Sequence, residues 1–349
     1  MKKHRVGILG ATGLVGQRFV SLLDYHPYFE VVSLSASEKS AKKTYGEVVD
    51  WYMETTLPEE VTNIELSNTS GKDLSRDDLD IVFSALPGKI AYDVEQYLAK
   101  EGICVFSNAN AHRMEKDVPI LIPEINPDHL QIVNKQNFGA GCIITNSNCS
   151  TSGLVFGLKP LQKFGIESVY VTTYQSISGA GKTGVTSLDI LGNIVPYIAG
   201  EEEKIEIETK KILGEFDGEQ IQNSKFNVNA SCARVPSVNG HLESVAVKLE
   251  EDVSLEEIKH SFKSFQGLDN NTYPTAPDEP IILLSEENRP QPSRDLVTER
   301  NSGMAVTIGR VRRKGNCVNF FLLVHNTLRG AAGASILNAE FALMKNYLK

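Results

Sequence analysis

Cys149 is the residue of this sequence best suited to act as a nucleophile. It follows the apolar strand pattern of residues 142–145 and a short polar run, and hydroxyl side chains at 150–152 come next as candidate helix caps. This order places the thiol at a helix N-terminus, where aligned backbone dipoles favour the thiolate and lower the thiol pKa. Backbone N–H groups around Asn148 and Cys149 are expected to form an oxyanion site.

A glycine-rich turn near the start of the chain predicts a dinucleotide site. Glycines 10, 13 and 16 directly follow a short apolar run and precede an amphipathic stretch that ends at Leu23. Such a turn lets the backbone approach a pyrophosphate, and the next helix points its first N–H groups at the negative charge. The spacing is a variant of the usual fingerprint, and the alternative is a simple tight turn. A thiolate beside a nicotinamide predicts thioester chemistry with hydride transfer.

The end of the second strand pattern favours NADP(H) over NAD(H). NAD-specific proteins place an acidic residue there to bind the ribose hydroxyls. This chain has Ser35, Ser37, Lys39 and Ser40 instead, and hydroxyls and cations suit a 2′-phosphate. Glu38 opposes this interpretation, and a solvated loop is the alternative.

Three further groups could assist a cysteine nucleophile. His241 opens a strand pattern, and an imidazole supplies an acid or base near neutral pH, although a lone histidine is more often structural. The planar guanidinium of Arg234 suits a substrate carboxylate. Glu208 and Lys211 lie one helical turn apart, and the alternative for this pair is an exposed ion pair worth little.

The elements that position these residues predict an α/β fold. Short strand patterns separated by helical patterns give an N-terminal Rossmann-like parallel sheet, and β-rich segments from about residue 168 give an α+β catalytic domain. The first strand patterns are residues 5–9, 29–34, 80–84, 103–106 and 142–145. Later segments are interpreted as a solvated helix over 201–211, an ordered loop over 274–292 and a helix over 330–348. We expect an NADP-binding domain at 1–148, completed by 326–349, and a catalytic domain at 149–325, which the family resemblance described below also makes the dimerisation domain.

Composition excludes several classes of protein. The 349 residues carry a formal net charge of −9, which disfavours nucleic acid as a partner. No apolar run approaches the roughly 20 residues that span a bilayer, so no membrane association is expected. Five cysteines without paired metal-ligand spacing and without a secretory leader predict a cytoplasmic protein with no metal site.

The string Ser-Asn-Cys-Ser-Thr at residues 147–151 makes a family resemblance specific. It looks like the active-site motif of aspartate-semialdehyde dehydrogenases. The resemblance covers essentially the whole chain and leans toward the archaeal and fungal branch. Other segments that agree in order and spacing are residues 10–16, 107–113, 174–181, 208–213, 234–241 and 326–333.

This resemblance implies reversible, NADPH-dependent reduction of L-4-aspartyl phosphate to L-aspartate 4-semialdehyde through a Cys149 thioester, in the biosynthesis of lysine, threonine, methionine and isoleucine. It makes Cys149 the nucleophile and His241 the acid and base. The implied substrate-binding residues are Arg234 for the α-carboxylate, Glu208 for the amino group, Lys211 and Arg113 for phosphate, Gln175 for the acyl group, and Asn148.

The expected cofactor-binding residues combine the glycine turn, the loop after the second strand and segments implied by the resemblance. They are Gly10, Thr12, Gly13, Leu14, Val15, Ser35, Ser37, Lys39, Ser40, Ser84, Leu86, Pro87, Asn108, Ser178, Gly179 and Asn326.

Two other functions stay open at this point. An acyl-CoA reductase of similar fold, such as malonyl-CoA reductase, uses the same thioester step but releases CoA, and its relatives depart from Ser-Asn-Cys-Ser-Thr. A non-catalytic redox sensor that binds dinucleotide would leave His241, Arg234, Glu208 and Lys211 without a role. Relatives form dimers or tetramers, so we expect a homodimer or homotetramer and a small-molecule substrate.

Overall fold

The N-terminal half folds around a six-stranded parallel sheet. The computed structural model of the chain describes residues 2–72 and 74–348. Met1 and Lys349, which end the predicted domain ranges, lie outside the described residues. The strands of this sheet are β1 (His4–Leu9), β2 (Phe29–Ala36), β3 (Ser67–Asn68), β4 (Ile81–Ser84), β5 (Cys104–Ser107) and β6 (Cys142–Thr145).

The order of these strands determines where a ligand can bind. It is β3-β2-β1-β4-β5-β6, so the chain changes direction across the sheet between β1 and β4. Both neighbours of β1 run parallel to it, and every residue of β4, β5 and β6 is buried. In open sheets of this kind, ligands bind at the carboxyl ends of the strands beside such a switch point.

The second half forms another six-stranded sheet, which is mixed. Its order is β10-β7-β11-β14-β13-β12, with β10 parallel to β7 and β11 antiparallel to both β7 and β14. A two-stranded ribbon, β8 and β9, lies apart from it. The strands are β7 (Ile166–Gln175), β8 (Glu215–Phe216), β9 (Ile221–Gln222), β10 (Asn227–Arg234), β11 (His241–Leu249), β12 (Ile281–Leu283), β13 (Val306–Lys314) and β14 (Cys317–Val324).

Helices cover the first sheet and one face of the second. The α-helices are α1 (Leu14–Leu23), α2 (Tyr45–Val48), α3 (Glu59–Thr62), α4 (Gly88–Lys100), α5 (Cys149–Leu158), α6 (Ser187–Ile190), α7 (Glu201–Ile212), α8 (Leu255–Lys263), α9 (Pro292–Asp295) and α10 (Ala332–Met344). Short 3₁₀ helices span Pro127–Lys135, Lys159–Phe164 and Ile177–Ala180.

Helix α10 belongs to the first half in space, although it ends the chain. It contacts α1 and β5, and its Ile336, Ala339 and Phe341 lie in the same hydrophobic core as Phe19 and Phe83. Helices α5, α7 and α8 instead pack on the second sheet. Burial alternates along β11, where every second residue faces this helical layer.

The predicted fold class is confirmed: a parallel Rossmann-like sheet is followed by a mixed sheet with helices on one face. The predicted domain boundaries stay a prediction. Two local expectations were wrong. Helix α7 is not solvated all round, since Glu208 and Lys211 on it are buried, and the predicted loop over 274–292 contains β12. No helix among residues 2–72 and 74–348 has the length and apolarity needed to cross a membrane.

Candidate active site

A cavity of about 450 Å³ lies where the two halves of the chain meet. The first residues of four helices border it: Leu14 of α1, Gly88 of α4, Cys149 of α5 and Glu201 of α7. The first N–H groups of a helix have no partner within the helix, and the helix dipole adds partial positive charge there. Four such ends around one cavity favour anionic ligands such as pyrophosphate, phosphate and carboxylate.

Cys149 and His241 form a close pair beside this cavity. Cys149 is the first residue of α5, and His241 is the first residue of β11. The Cys149 Sγ atom lies 3.1 Å from His241 Nε2. The structure therefore brings together the two residues predicted to perform the chemistry, although 92 residues separate them in the chain.

The other ring nitrogen of His241 determines its proton position. The backbone N–H of Ser176 donates to Nδ1 at 3.1 Å, which favours an unprotonated Nδ1, and Ser176 Oγ lies 3.3 Å from the same atom. A neutral imidazole then carries its proton on Nε2, the atom that faces the sulfur. Burial, with the positive charge of Arg234, lowers the pKa of His241 to about 3. His241 is consequently neutral at physiological pH.

The acidity of the Cys149 thiol differs from the sequence-based expectation. Burial and the nearby carboxylate of Glu201 raise the pKa of Cys149 to about 12, whereas Arg113 and Arg234 act in the opposite direction. The position at a helix N-terminus is as predicted, but burial in this structure outweighs it. The thiol is therefore protonated at neutral pH in this structure.

Asn148 caps the helix that carries the nucleophile. Its Oδ1 atom accepts from the backbone N–H groups of Ser150 at 2.9 Å and Thr151 at 3.1 Å. Its own backbone N–H donates to Glu208 Oε2 at 2.6 Å. In this structure the Asn148 N–H is therefore engaged by Glu208 and does not face an oxyanion, whereas the expected contribution of the Cys149 N–H stays a prediction.

Arg113, Glu208 and Lys211 form a buried polar group beneath the cavity. Arg113 donates to Glu208 Oε1 at 2.9 Å and to the carbonyl of Asn108 at 2.8 Å, and it borders the cavity. Glu208 is 1% exposed, so it is neither an exposed ion pair nor in contact with the cavity.

Lys211 lacks the free ammonium group that a residue binding phosphate directly would need. Its ammonium donates to the carbonyls of Arg113, Glu115 and Val118 at 2.6, 2.8 and 2.7 Å. An ammonium has three N–H donors, and all three are used here. Burial lowers the pKa of Lys211 to about 8. In this structure Lys211 stabilises the loop that carries Arg113.

Arg234 and Gln175 end neighbouring parallel strands, so they lie side by side. Arg234 donates from Nη1 to the carbonyl of Ser176 at 2.7 Å, and Gly179 packs against it and His241. Gln175 donates to Glu201 Oε1 at 3.0 Å. Neither side chain borders the cavity itself, but both lie directly behind residues that do.

The glycine turn has the shape that a dinucleotide requires. Gly10 adopts a φ of +77°, a conformation that favours glycine, and its N–H donates to the carbonyl of Ser35 at 3.1 Å. A Cβ at Gly16 would lie 2.2 Å from the carbonyl oxygen of Gly10, so only glycine fits. Gly13, Leu14 and Val15 border the cavity.

Ser35 is the part of the predicted 2′-phosphate region closest to this turn. Its side chain is 1% exposed, and its Oγ atom has no hydrogen-bond partner among the described residues. Ser37 and Lys39 are exposed, and Ser40 donates its N–H back to the carbonyl of Ser37 at 2.8 Å. These residues lie outside the cavity around Cys149.

The other predicted cofactor residues divide into two groups. Leu86, Asn108, Ser178, Gly179 and Asn326 border the cavity together with the turn. Asn326 donates to Ser178 Oγ at 2.8 Å, which links the ends of β14 and β7. The residues that the cavity does not reach are Gly10, Thr12, Ser84 and Pro87, of which Ser84 is fully buried.

Comparison with known proteins agrees with this architecture. Residues 5–133 match the family model "Semialdehyde dehydrogenase, NAD binding domain", and residues 158–329 match "Semialdehyde dehydrogenase, dimerisation domain". Aspartate-semialdehyde dehydrogenase of Archaeoglobus fulgidus is 47% identical over 99% of this chain and 100% of its own. The chain belongs to the aspartate-semialdehyde dehydrogenase family.

Further members of this family agree along their whole length. The Methanothermobacter thermautotrophicus protein is 48% identical over 96% of this chain and 97% of its own. The crystal structure of the Candida albicans enzyme with NADP superposes with a TM-score of 0.88 at 39% identity, covering 99% of this chain and 100% of that one. The predicted resemblance, with its archaeal and fungal leaning, is confirmed.

Sequence reasoning missed Glu201 as a site residue. It borders the cavity next to Cys149, and Lys204, which donates to it at 3.2 Å, borders the cavity as well. Glu201 precedes Glu208 by seven residues, two turns of the same helix, so both face one side. The repeated spacing of Glu201 with Lys204 and of Glu208 with Lys211 was the available signal.

Proposed function

We propose that this chain catalyses the reversible, NADP-dependent conversion of L-aspartate 4-semialdehyde and phosphate to L-4-aspartyl phosphate. In the reductive direction this reaction supplies a precursor of lysine, threonine, methionine and isoleucine. The observation that carries the proposal is the Cys149–His241 pair, 3.1 Å apart, in the same cavity as the glycine turn. The family membership agrees with it.

The residues around the turn fit a bound dinucleotide. The fit rests on Gly10 and Gly16, which have no side chain to keep a pyrophosphate away from the backbone. It also rests on the Ser35 hydroxyl at the end of β2, which has no hydrogen-bond partner among the described residues. When bound, NADPH supplies the hydride. Ser35, Ser37, Lys39 and Ser40 are proposed to favour the 2′-phosphate. The Candida albicans relative was crystallised with NADP, which supports this choice.

Cys149 is proposed to attack the carbonyl carbon of the acyl phosphate as a thiolate. The C–S bond forms, a tetrahedral oxyanion develops, and the C–O bond to phosphate breaks to leave a thioester. Arg113 and Arg234 favour the thiolate, as the direction of their effects on the Cys149 pKa indicates. After reduction of the thioester, the C–S bond breaks and the aldehyde leaves.

His241 is proposed to accept the proton of the Cys149 thiol on Nε2 as the C–S bond forms. This step requires the ring's own proton to move to Nδ1, where Ser176 Oγ lies 3.3 Å away, although the Ser176 N–H donates to Nδ1 in this structure. The imidazolium then gives a proton to an oxygen that gains negative charge, either on the departing phosphate or on the reduced carbon, and the ring returns to its neutral form.

The substrate-binding residues are proposed from the family pattern and their positions. Arg234 is proposed to bind the α-carboxylate, Glu208 the amino group and Gln175 the acyl group. Arg113 is proposed to bind phosphate together with Asn148, since both border the cavity beside Cys149. Lys211 is proposed to serve phosphate binding through the loop that carries Arg113.

We further propose a homodimer located in the cytoplasm. Residues 158–329 match the dimerisation domain of the family. Along β7, β10 and β11 the side chains that point away from the helical layer are mostly half-buried or exposed, and Tyr170 among them is 56% exposed. This face is the proposed dimer contact, and sedimentation equilibrium would distinguish a homodimer from a homotetramer, the two assemblies predicted from the sequence. The cytoplasmic location rests on five free cysteines.

A turnover assay tests the proposed function against its alternatives. We expect reduction of NADP when aspartate semialdehyde and phosphate are both present, with little activity when CoA replaces phosphate. CoA-dependent activity would favour an acyl-CoA reductase, and binding of NADP without turnover would favour a redox sensor.

A further inference from the structure

Glu201 connects the amide side chains of Asn148, which precedes Cys149, and of Gln175, which precedes the Ser176 bound to His241. Its Oε1 atom accepts from Asn148 Nδ2 at 2.7 Å and from Gln175 Nε2 at 3.0 Å. Its Oε2 atom accepts from Lys204 at 3.2 Å. Although only 7% exposed, it borders the same cavity as Cys149. One carboxylate thus ties the start of α7 to the N-cap of α5 and to the end of β7.

Both amides are also fixed at their oxygen ends. Asn148 Oδ1 accepts from two backbone N–H groups at the start of α5, and Gln175 Oε1 accepts from Thr173 Oγ1 at 3.3 Å. Rotating either amide by half a turn would place its oxygen against the Glu201 carboxylate, and in Asn148 would also point N–H groups at backbone donors. The contact with Glu201 therefore allows each amide a single orientation.

We propose that Glu201 is a positioning residue for the reaction, holding the amides of Asn148 and Gln175 each in this single orientation. The inference rests on the proposed function. Its physical basis is that reacting groups displaced by about 1 Å lose on the order of 10²-fold in rate. A negative charge beside a nucleophilic thiol also carries a cost, which this positioning role explains.

The effect of this negative charge on the acidity of the Cys149 thiol can be measured without a turnover assay. The charged groups that act on the Cys149 thiol are Glu201 of α7, Arg234 of β10 and Arg113 of the loop after β5. Among them only Glu201 raises the Cys149 pKa by its charge. Removing that charge makes the thiol more acidic, so alkylation of Cys149 by iodoacetamide should begin at lower pH.

The test compares Glu201→Ala with Glu201→Gln, and Glu203→Gln serves as the control. Glu203 lies on the same helix and is exposed, so it loses the same charge away from the site. For Glu201→Ala we expect kcat to fall about 10- to 100-fold with an unchanged KM for NADP. Glu201→Gln keeps an oxygen that accepts two hydrogen bonds and should recover much of kcat. Both Glu201 variants, but not Glu203→Gln, should shift alkylation to lower pH.

A double-mutant cycle with Gln175→Ala completes the test. If Glu201 acts through Gln175, the loss caused by Glu201→Ala must be smaller in the Gln175→Ala background. Additive losses, a normal kcat in Glu201→Ala, or equal defects in the two Glu201 variants would each overturn the inference. A wild-type protein that does not use aspartate semialdehyde would instead contradict the proposed function, so the two failures are distinct.

Discussion

The Nε2 atom of His241 lies 3.1 Å from Cys149 Sγ, while the backbone N–H of Ser176 donates to Nδ1 on the opposite side of the ring. Because Nδ1 is an acceptor, the neutral ring presents an N–H to the sulfur. The pair is therefore arranged to stabilise a thiolate once it forms. Removal of the thiol proton by Nε2 first requires the ring proton to move to Nδ1, where Ser176 Oγ lies 3.3 Å away.

Cys149→Ser should bind both ligands and lower turnover by on the order of 10³-fold or more, since a hydroxyl is far less ionised than a thiol. In the wild type, β-aspartyl phosphate without NADPH should acylate Cys149, as seen by mass spectrometry of the quenched protein. Cys317→Ser, on β14, is the control and should keep normal activity. An adduct on Cys232 would refute the assignment of the nucleophile.

Replacing His241 by Asn should lower kcat by about 10²- to 10⁴-fold, the usual contribution of acid–base assistance, while NADP binding is retained. Cofactor binding is measured by fluorescence titration and turnover by the NADPH absorbance. If His241→Asn turns over at the wild-type rate, the imidazole does not participate.

Stability should fall as the solution is acidified. The folded protein holds the pKa of His241 near 3 and that of His325 near 4, whereas an unfolded imidazole titrates near 6.5. The unfolded chain therefore binds more protons below pH 6.5, so this contribution is present above 6.5 and is lost as the pH falls toward 3 or 4. We expect Tm to drop between pH 7 and pH 5, with a smaller drop in His241→Asn.

Arg234→Lys keeps the charge but loses the planar fork that binds a carboxylate with two N–H groups. We expect kcat/KM for aspartate semialdehyde to fall about 10- to 100-fold. Arg310→Lys, on the exposed end of β13, is the matched control and should be normal. Equal activity of the two variants would exclude Arg234 from carboxylate binding.

Ser35→Asp should shift the ratio of catalytic efficiencies from NADP toward NAD. The Ser35 side chain is buried at the end of β2. The backbone carbonyl of Ser35 accepts from the backbone N–H groups of Gly10 and Ala11. A carboxylate there repels a 2′-phosphate but can accept from ribose hydroxyls. Steady-state kinetics with both cofactors measures the ratio. A wild type that prefers NAD would contradict the proposed cofactor.

Lys211→Met distinguishes a structural from a ligand-binding lysine. Removing the ammonium leaves the carbonyls of Arg113, Glu115 and Val118 buried without a donor, so Tm should fall. If Lys211 acts through the Arg113 loop, the KM for phosphate rises as well. A raised KM for phosphate with an unchanged Tm would instead show that the ammonium binds phosphate directly.

The sequence predicted what depends on nearby residues. The strand ending at Thr145, the polar turn and the helix beginning at Cys149 follow from local hydrophobic pattern and capping, and the structure has all three. The pattern around Gly10 likewise predicted a turn between β1 and α1. Such features need no knowledge of distant parts of the chain.

What the sequence could not predict depends on distant contacts. The sequence of α7 is rich in Glu and Lys and is therefore typical of a solvated helix. Its inner side is buried by tertiary contacts such as that between Arg113 and Glu208, which lie 95 residues apart in the chain. The prediction that the pKa of Cys149 is lowered was wrong for the same reason. The helix end is a local feature, whereas burial and the charge of Glu201 arise from tertiary packing.

The return of α10 to the first sheet has a consequence for synthesis of the protein. Ile336, Ala339 and Phe341 complete the hydrophobic core around Phe19 and Phe83, and they are synthesised only after every strand of the second sheet. Until then the nascent N-terminal sheet exposes apolar surface while the second sheet is already being translated. We therefore expect the emerging chain to depend on chaperones and the nucleotide-binding half to mature last, although it is made first.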